Sequence, residues 1–313
     1  MDLISIIMCT HNMGEYISES ISSIVNQTYE NWELIVINDF SMDNTLDILS
    51  QYSDPRIKVI NTPCKMTLPI LRNYGLELAK GKYVGYMDSD DIATSDRLRL
   101  QHDFLSQNSD IDVVGGDYKF FGDTDRFYSM PRGNKTIQSL LVFRSTIANG
   151  TVLMRKSLFD KHNLRYRDYL IQCEDYGLWV DMINKAKVEN LPALMLYCRS
   201  GHSRQTIKHT NSEYLNRMRK VELSEIRLNA FNSFGFSFSN EDLRFINSYL
   251  GDANRREYTY EKLREMERAL DLMLIQGSKI PIFDISAAEE EVNHRLLKFR
   301  KKCDIASEAR NRE

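Results

Sequence analysis

The chain has 313 residues, of which 42% are hydrophobic and 27% charged, a composition typical of a protein that buries an apolar core. Its formal net charge of −3 gives no overall attraction to nucleic acid, so function must reside in local sites. The five cysteines are widely spaced and form no C-x-x-C pair, which argues against a disulfide framework or a zinc cluster. The first residues lack the features of a signal peptide and no apolar run could span a membrane, so we expect a cytoplasmic protein.

The first half of the chain alternates short β-rich runs with helical patterns. The predicted strands are Leu3–Cys9, Glu33–Asn38, Ile57–Ile60, Lys82–Met87 and Asp112–Gly115. Apolar residues at helical spacing predict helices between them: one with Ile17, Ile21, Ile24 and Val25 on one face, one that carries Leu46 and Leu49 with Ser41 or Asp43 as its cap, and two over 68–80 and 94–107. Strands that alternate with helices imply βαβ units around a mostly parallel sheet.

The second half has a less regular pattern. Residues 120–149 show weak periodicity and many polar side chains, which indicates a long connection. A strand at Thr151–Arg155, a helix from Glu174 to about Asn184 and a strand at Leu191–Tyr197 follow, and from about residue 210 the pattern is helical. We therefore predict an α/β domain over residues 1–208 and a helical C-terminal appendage over residues 209–313.

Polar side chains cluster where the predicted strands end. Thr10 and Asn12 follow the first strand, Asp39 follows the second, and Asp88 and Asp90 follow the fourth. In a parallel α/β sheet, ligands bind beyond the carboxyl ends of the strands. This edge of the sheet is therefore the predicted site of function.

The segment Asp88-Ser89-Asp90 is the strongest single signal in the sequence. In extended chain, side chains two residues apart project in the same direction, so both carboxylates can face one ligand. Hard oxygen ligands suit Mg²⁺ or Mn²⁺, which commonly bridge to substrate phosphates. The alternative is an acidic turn that caps the helix at Thr94. The position directly after the apolar run 83–87 favours the metal site.

Several blocks in order resemble the family 2 glycosyltransferases, which have the GT-A fold: a Rossmann-like, mostly parallel mixed sheet flanked by helices. The matching blocks are Ser5–Asn12, Asn26–Tyr29, Glu33–Thr45, Arg72–Gly75, Gly81–Tyr83, Met87–Asp91, Asn149–Arg155 and Glu174–Trp179. The resemblance covers roughly residues 1–205. It is greatest to bacterial enzymes that extend lipooligosaccharide or capsule chains, including N-acetylglucosaminyl- and galactosyltransferases.

The resemblance implies a UDP-sugar donor and a divalent metal, Mn²⁺ or Mg²⁺. Asp39 would accept a hydrogen bond from the uracil imide, and Arg72 would lie near the base or the diphosphate. The residues implied to bind the donor are Thr10, Asn12, Glu15, Asp39, Arg72, Asp88 and Ser89. The implied metal ligands are Asp90, Asp88 and His202. Asp91 fits two roles equally, a helix cap or a group that supports these ligands.

Asp175 is implied to be the catalytic base, which removes the proton of the acceptor hydroxyl. Acidic residues in a first helical turn are also favoured by the helix dipole, and from the sequence alone the two interpretations are equal. The match to the family's Glu-Asp block favours catalysis and gives Glu174 a supporting role, such as an acceptor contact. Attack opposite the leaving diphosphate would invert the anomeric centre.

The chain departs from the family pattern after the last strand. Family members often carry an aromatic-Arg-x-His block there, whereas His202 stands one place later, after Arg199. His202 fits a metal ligand and a solvent-facing residue equally well. A Gln-x-x-Arg-Trp block is absent from the sequence, which argues against a processive synthase.

Two other functions fit the sequence less well. A non-catalytic nucleotide-sugar-binding subunit would be expected to lose Asp39, Asp90 or Asp175, and a nucleotidyltransferase to open with a Gly-rich basic loop. The expected partners are the donor and a glycan or lipid-linked oligosaccharide, without nucleic acid. The basic and apolar segment 295–302 fits a peripheral contact with the inner membrane, or an ordinary solvated helix end.

Overall fold

The structure, a computed structural model, describes residues 1–201, 212–250 and 258–310. The chain divides into two compact units. The first comprises Met1–Asn134 and Ile147–Asn211, and the second comprises Lys135–Thr146 and Ser212–Glu313. A short internal segment therefore belongs with the C-terminal helices rather than with the residues on either side of it.

The first unit is built on one mixed sheet. Its strands are β1 Ile4–Thr10, β2 Trp32–Asn38, β3 Ile57–Asn61, β4 Tyr83–Tyr86, β5 Ile92–Ala93, β6 Val113–Gly122, β7 Phe127–Tyr128, β8 Leu153–Arg155 and β9 Val188–Ser200. Their order across the sheet is β3-β2-β1-β4-β8-β6-β9-β5, with β7 paired to β6.

The strands that carry the predicted site run parallel. β1 pairs in parallel with β2 and β4, and β2 pairs in parallel with β3, whereas β8 runs antiparallel to both β4 and β6. In register, Thr10 lies beside Asn38, which lies beside Asn61, so three strands end on one line. The predicted mixed, mostly parallel α/β sheet is confirmed.

Helices flank this sheet. In chain order they are α1 Ile17–Val25, α2 Thr45–Leu49, α3 Leu68–Leu78, α4 Arg97–Gln107, α6 Lys156–His162 and α7 Glu174–Asp181, whereas α5 Asn134–Ser139 belongs from Lys135 onward to the second unit. α1 forms because Ile17, Ile21 and Ile24 recur on one face, and all three are buried against β1 and β2. Pro69 opens α3, where its fixed φ suits the first turn of a helix.

Residues 120–149 differ from the predicted long connection. β6 continues to Gly122, and β7, α5 and a 3₁₀ turn at Leu140–Val142 follow. The outer half of β6 pairs with the outer half of β9 after a shift in register between Gly116 and Tyr118. β5 and α6 are further elements that the sequence pattern did not predict. The predicted connection is therefore interrupted by strands and a helix, and β6 extends into it because its partner strand β9 lies far along the chain.

The second unit is helical, as expected for the C-terminal region. It contains α8 Glu213–Phe234, α9 Asn240–Leu250, α10 Tyr260–Gly277 and α11 Ile285–Arg310. The internal segment joins it through Asp284, whose carboxylate accepts a hydrogen bond from the Thr136 hydroxyl at 2.6 Å and whose N–H donates to Ser139 Oγ at 2.7 Å. Among the described residues, no helix is long and apolar enough to cross a membrane.

Candidate active site

The loops after β1 and β2 are bound to each other at the edge of the sheet. Asn12 and Phe40, each two residues beyond the end of its strand, have positive φ angles of 53° and 52°. The side-chain carbonyl of Asn12 accepts a hydrogen bond from the N–H of Met42 at 2.7 Å, and the N–H of Asn12 donates to Ser41 Oγ at 2.9 Å. The two turns therefore form one fixed surface, on which the Asn12 side chain is exposed.

Asp39 lies buried at the base of this surface. Its N–H donates to the Thr10 carbonyl at 2.8 Å, which continues the ladder between β1 and β2. Its carboxylate accepts hydrogen bonds from the N–H of Met66 at 2.8 Å and from Lys65 Nζ at 2.6 Å. The loop between β3 and α3 thus closes over Asp39, and its contacts fix the position of the carboxylate.

The acidic loop after β4 is held by β9. Asp88 is exposed, whereas Asp90 and Asp91 are buried. Arg199 donates its backbone N–H to Asp91 Oδ1 at 2.8 Å and its Nε to the Asp90 carbonyl at 3.0 Å. The same guanidinium pairs with Glu19 of α1. β9 therefore fixes the backbone of this loop at Asp90 and the carboxylate of Asp91.

A fully buried arginine lies behind the acidic loop. Arg97 donates hydrogen bonds to the carbonyls of Tyr86 at 2.9 Å and Val152 at 3.2 Å. No carboxylate of the described residues lies within ion-pair distance of its guanidinium. Burial lowers the pKa of Arg97 to about 10, and Asp88 and Asp91 oppose that shift. Arg97 therefore stays charged at neutral pH and places a positive charge close to these carboxylates.

A second buried arginine joins the acidic loop to α7. Arg72 pairs with Glu174 through Nη1, and its Nη2 lies 3.7 Å from Asp88 Oδ1. Burial disfavours the charge on Arg72, but Glu174, Asp88 and Asp175 raise its pKa above the ordinary value. Burial also raises the pKa of Glu174; Arg72 opposes that shift and Asp175 adds to it. This network brings three residues that are distant in sequence into one cluster.

Asp175 stands beside this cluster in the first turn of α7, half-buried. Its charge acts on both Arg72 and Glu174, so it lies on the same side of the unit as the acidic loop. The helix dipole favours a carboxylate at this position. The arrangement thus combines an acidic loop that follows a parallel strand with a second carboxylate at a helix N-terminus.

The remaining predicted residues take different positions. Ser89 is buried within the acidic loop, and Glu15 is exposed at the start of α1. The hydroxyl of Thr10 is buried without a hydrogen-bond partner among the described residues, whereas its backbone carbonyl accepts the N–H of Asp39. His202, the predicted third metal ligand, lies outside the described residues.

The donor set of the acidic loop suits a hard cation. Within the described ranges, no three His, Cys, Asp or Glu side chains lie close enough together to hold a metal ion alone. Asp88 and Asp90 offer carboxylate oxygens two residues apart, and Mg²⁺ typically takes one or two carboxylates and completes its coordination with substrate phosphates and water. The residues present therefore fit a metal that binds together with a diphosphate.

Two residues of the site were missed at the level of sequence. Lys65 contacts the buried Asp39 from a loop that follows a parallel strand. The rule that selected the other strand ends would have selected this loop as well. Nothing in the sequence indicated that Arg97 would be buried, because an arginine in a helix is ordinarily solvated.

Comparison with known proteins agrees with this geometry. The family model described as "Glycosyl transferase family 2" matches residues 5–163. An uncharacterized glycosyltransferase of Haemophilus influenzae is 32% identical over 263 residues, covering 79% of this chain and 78% of that protein. The Escherichia coli protein WfgD, a UDP-Glc:α-D-GlcNAc-diphosphoundecaprenol β-1,3-glucosyltransferase, is 31% identical over 192 residues, covering 61% of this chain and 73% of WfgD.

Solved structures show the same fold. Residues 1–349 of S. aureus TarS, in complex with UDP-GlcNAc, align with 97% of this chain and 88% of that one at 20% identity and a TM-score of 0.60. The mannosyltransferase PcManGT of Pyrobaculum calidifontis, in complex with GDP-Man and Mn²⁺, aligns with 96% of this chain and 86% of that one at 13% identity and a TM-score of 0.55. This chain belongs to the family 2 glycosyltransferases and has the GT-A fold.

Proposed function

We propose that the protein is an inverting, metal-dependent, non-processive glycosyltransferase. It transfers a sugar, N-acetylglucosamine or galactose, from a UDP-sugar to a hydroxyl of a surface-glycan acceptor. The observation that carries the proposal is the contact of Arg72 with both Glu174 and Asp88. That contact brings the acidic loop and the acidic first turn of α7 to one place, as a transferase requires of its metal ligands and its base.

Each proposed role follows from the position of a residue. Asp39, fixed at the end of β2, accepts a hydrogen bond from the base, and Asn12 and Glu15 offer exposed polar groups in the adjoining loop. Asp88 and Asp90 hold Mg²⁺ or Mn²⁺, which neutralises charge on the departing diphosphate when bound. We assign these roles, and catalysis as a whole, to residues 1–208.

Asp175 acts as the base in this proposal. It accepts the proton of the acceptor hydroxyl as that oxygen attacks the anomeric carbon. The Glu174 carboxylate is already paired with Arg72, and this ion pair orients the first turn of α7. Attack on the face opposite the diphosphate turns an α-linked donor into a β-linked product.

The acceptor is proposed to be a glycan or a lipid-linked oligosaccharide, because the relative WfgD acts on a diphosphoundecaprenol-linked sugar. Such an acceptor places the enzyme at the cytoplasmic face of the inner membrane. α11 exposes Leu297 beside Lys298 and Lys301, a combination that suits an anionic lipid surface. Co-sedimentation with anionic vesicles, lost in a Lys298→Glu/Lys301→Glu variant, tests this contact.

The activity is tested by release of nucleoside diphosphate from UDP-, GDP- and TDP-sugars, including UDP-Glc, UDP-GlcNAc and UDP-Gal. Reactions contain Mn²⁺ or EDTA and a pool of lipid-linked glycan acceptors. Asp90→Asn and Asp175→Asn are compared with Asp110→Asn, a matched change at an exposed residue near the amino end of β6.

We expect metal-dependent release from one UDP-sugar that the control variant retains and the two site variants lose, with a loss of about 10²- to 10⁴-fold for Asp175→Asn. NMR of the product should show the β-anomer. Binding of UDP without release from any donor would instead support a non-catalytic binding subunit. Release that persists in Asp175→Asn would contradict its role as the base.

A further inference from the structure

Lys65 is placed at the candidate nucleotide site by its contact with Asp39. Its ammonium lies 2.6 Å from Asp39 Oδ2. The Asp39 side chain is only 3% exposed, whereas that of Lys65 is 48% exposed. The carboxylate is therefore mostly enclosed by protein, and the ammonium lies beside it at the boundary with solvent.

The loop that carries Lys65 is held in a defined shape. The Thr62 hydroxyl donates to the Cys64 carbonyl at 2.9 Å, and the Thr62 N–H donates to the Asn38 carbonyl at 3.0 Å. The N–H of Met66 then donates to Asp39 Oδ1 at 2.8 Å. The backbone on both sides of Lys65 is thus bonded, so the ammonium approaches Asp39 from a fixed direction.

The pair retains unused hydrogen-bonding capacity. A carboxylate has about four lone-pair sites and an ammonium has three donors. Asp39 therefore keeps an acceptor site after binding Met66, Lys65 and, at 3.4 Å, the Thr62 hydroxyl, and Lys65 keeps donors after binding Asp39. Together they present an acceptor beside a donor.

An acceptor beside a donor is complementary to one type of base edge. Uracil presents the N3–H next to the O4 carbonyl, so Asp39 can accept from N3–H while Lys65 donates to the carbonyl. Cytosine presents a ring-nitrogen acceptor next to an amino donor, which reverses the pattern and leaves the buried carboxylate facing a lone pair. We propose that Lys65 is a specificity residue that reads the carbonyl of the base together with Asp39; this inference rests on the proposed uridine-nucleotide donor.

A second lysine of the same sheet provides a matched comparison. Lys58 of β3 pairs with the buried Glu33 of β2, and its side chain is 43% exposed. The Glu33 carboxylate also binds the Ser5 hydroxyl and the N–H of Lys80. This pair lies within the strands and not in a loop after them. The two lysines therefore resemble each other in partner and exposure and differ in position.

The experiment measures binding of UDP, CDP and 4-thio-UDP by calorimetry in the presence of Mn²⁺. It compares the full-length native protein with Lys65→Met, Lys65→Arg and the control Lys58→Met. Sulfur at position 4 is a weak acceptor, so 4-thio-UDP removes the proposed partner of Lys65 and leaves N3–H in place. Thermal unfolding of each variant reports any general loss of stability.

We expect Lys65→Met to weaken UDP binding by about tenfold or more, as for the loss of a charged hydrogen bond. Binding of CDP and 4-thio-UDP should change little, and Lys65→Arg and Lys58→Met should bind UDP nearly as the native protein does. Equal weakening for all three nucleotides would assign Lys65 a purely structural role. Unchanged UDP binding by Lys65→Met would overturn the inference, and tighter binding would overturn it by showing that the lysine occupies the base site.

The outcome for the native protein separates this inference from the proposed function. Tight UDP binding that is insensitive to Lys65 refutes the role of Lys65 and leaves a uridine-nucleotide donor supported. Absence of UDP binding by the native protein refutes the donor assignment, and with it the assigned role of Lys65.

Discussion

The buried ion pair of Arg72 and Glu174 allows a quantitative prediction. Both side chains are almost fully buried, so removing one partner leaves the other charge without compensation. Such a loss typically costs about 3–5 kcal/mol. Asp88 offsets part of it for Arg72, but at 3.7 Å and half-exposed it contributes no more than about 1 kcal/mol. We therefore expect Glu174→Gln to lower the free energy of unfolding by about 3 kcal/mol.

Arg72→Met should cost a similar amount, because it leaves the Glu174 carboxylate buried without its cation. The double variant removes both charges and should lose about as much as either single variant. The coupling energy between the two positions is then about 3 kcal/mol. The control is Asp96→Asn, which removes an exposed partner of Arg99 and should cost less than about 1 kcal/mol.

The assay is urea unfolding at pH 8, far above the ordinary pKa of a glutamate, so that the variants are compared with a native protein whose Arg72–Glu174 pair is charged. Trp32 and Trp179 are the only tryptophans of the chain, and both are buried in the first unit. Their fluorescence therefore reports the unit that contains the ion pair. Losses that simply add in the double variant would refute the reasoning, because independent residues do not form a coupled pair.

Three further predictions concern stability and thiol chemistry. Glu33 is buried, yet its lysine and serine partners hold its pKa below the ordinary 4.5. Glu33→Gln should therefore lower the free energy of unfolding at pH 7. The difference between this variant and the native protein should disappear as the pH falls below 4.5, where Glu33 becomes protonated. Cys64 is exposed, whereas burial raises the pKa of Cys9 to about 12; a thiol reagent at pH 8 should label Cys64 rapidly and Cys9 only after unfolding, as mass spectrometry can show. In Gly75→Ala, the new Cβ would lie 2.5 Å from Ile7 Cγ2, which should cost about 1–3 kcal/mol in the same urea assay.

Strands β1, β2 and β4 could be predicted because each is buried on both faces. Parallel strands covered by helices become continuous apolar runs, and β1 and β2 are such runs. The polar residues that follow them, Asp39 and the acidic loop at Asp88, therefore stood out. For this part of the fold, the residues of each strand alone were enough to predict it, and the observed sheet confirms the prediction.

Features that depend on distant partners could not be predicted. The outer half of β6 has the aromatic and polar composition of a loop, and it becomes a strand because β9 pairs with it. Arg97 has the sequence context of a solvated helix face, and it is buried because the carbonyls of Tyr86 and Val152 accept its hydrogen bonds. The contact of Arg72 with Glu174 likewise joins residues 102 positions apart.

The internal segment Lys135–Thr146 affects how the chain could be divided or recombined. The polypeptide passes between its two units three times, because this segment belongs with the C-terminal helices. Its residues Leu140–Val142 are buried and pack on α8 and α11. A chain shortened after residue 211 would keep these apolar side chains and lose what covers them. Exchange of helical regions between relatives must therefore replace this internal segment together with the C-terminal helices.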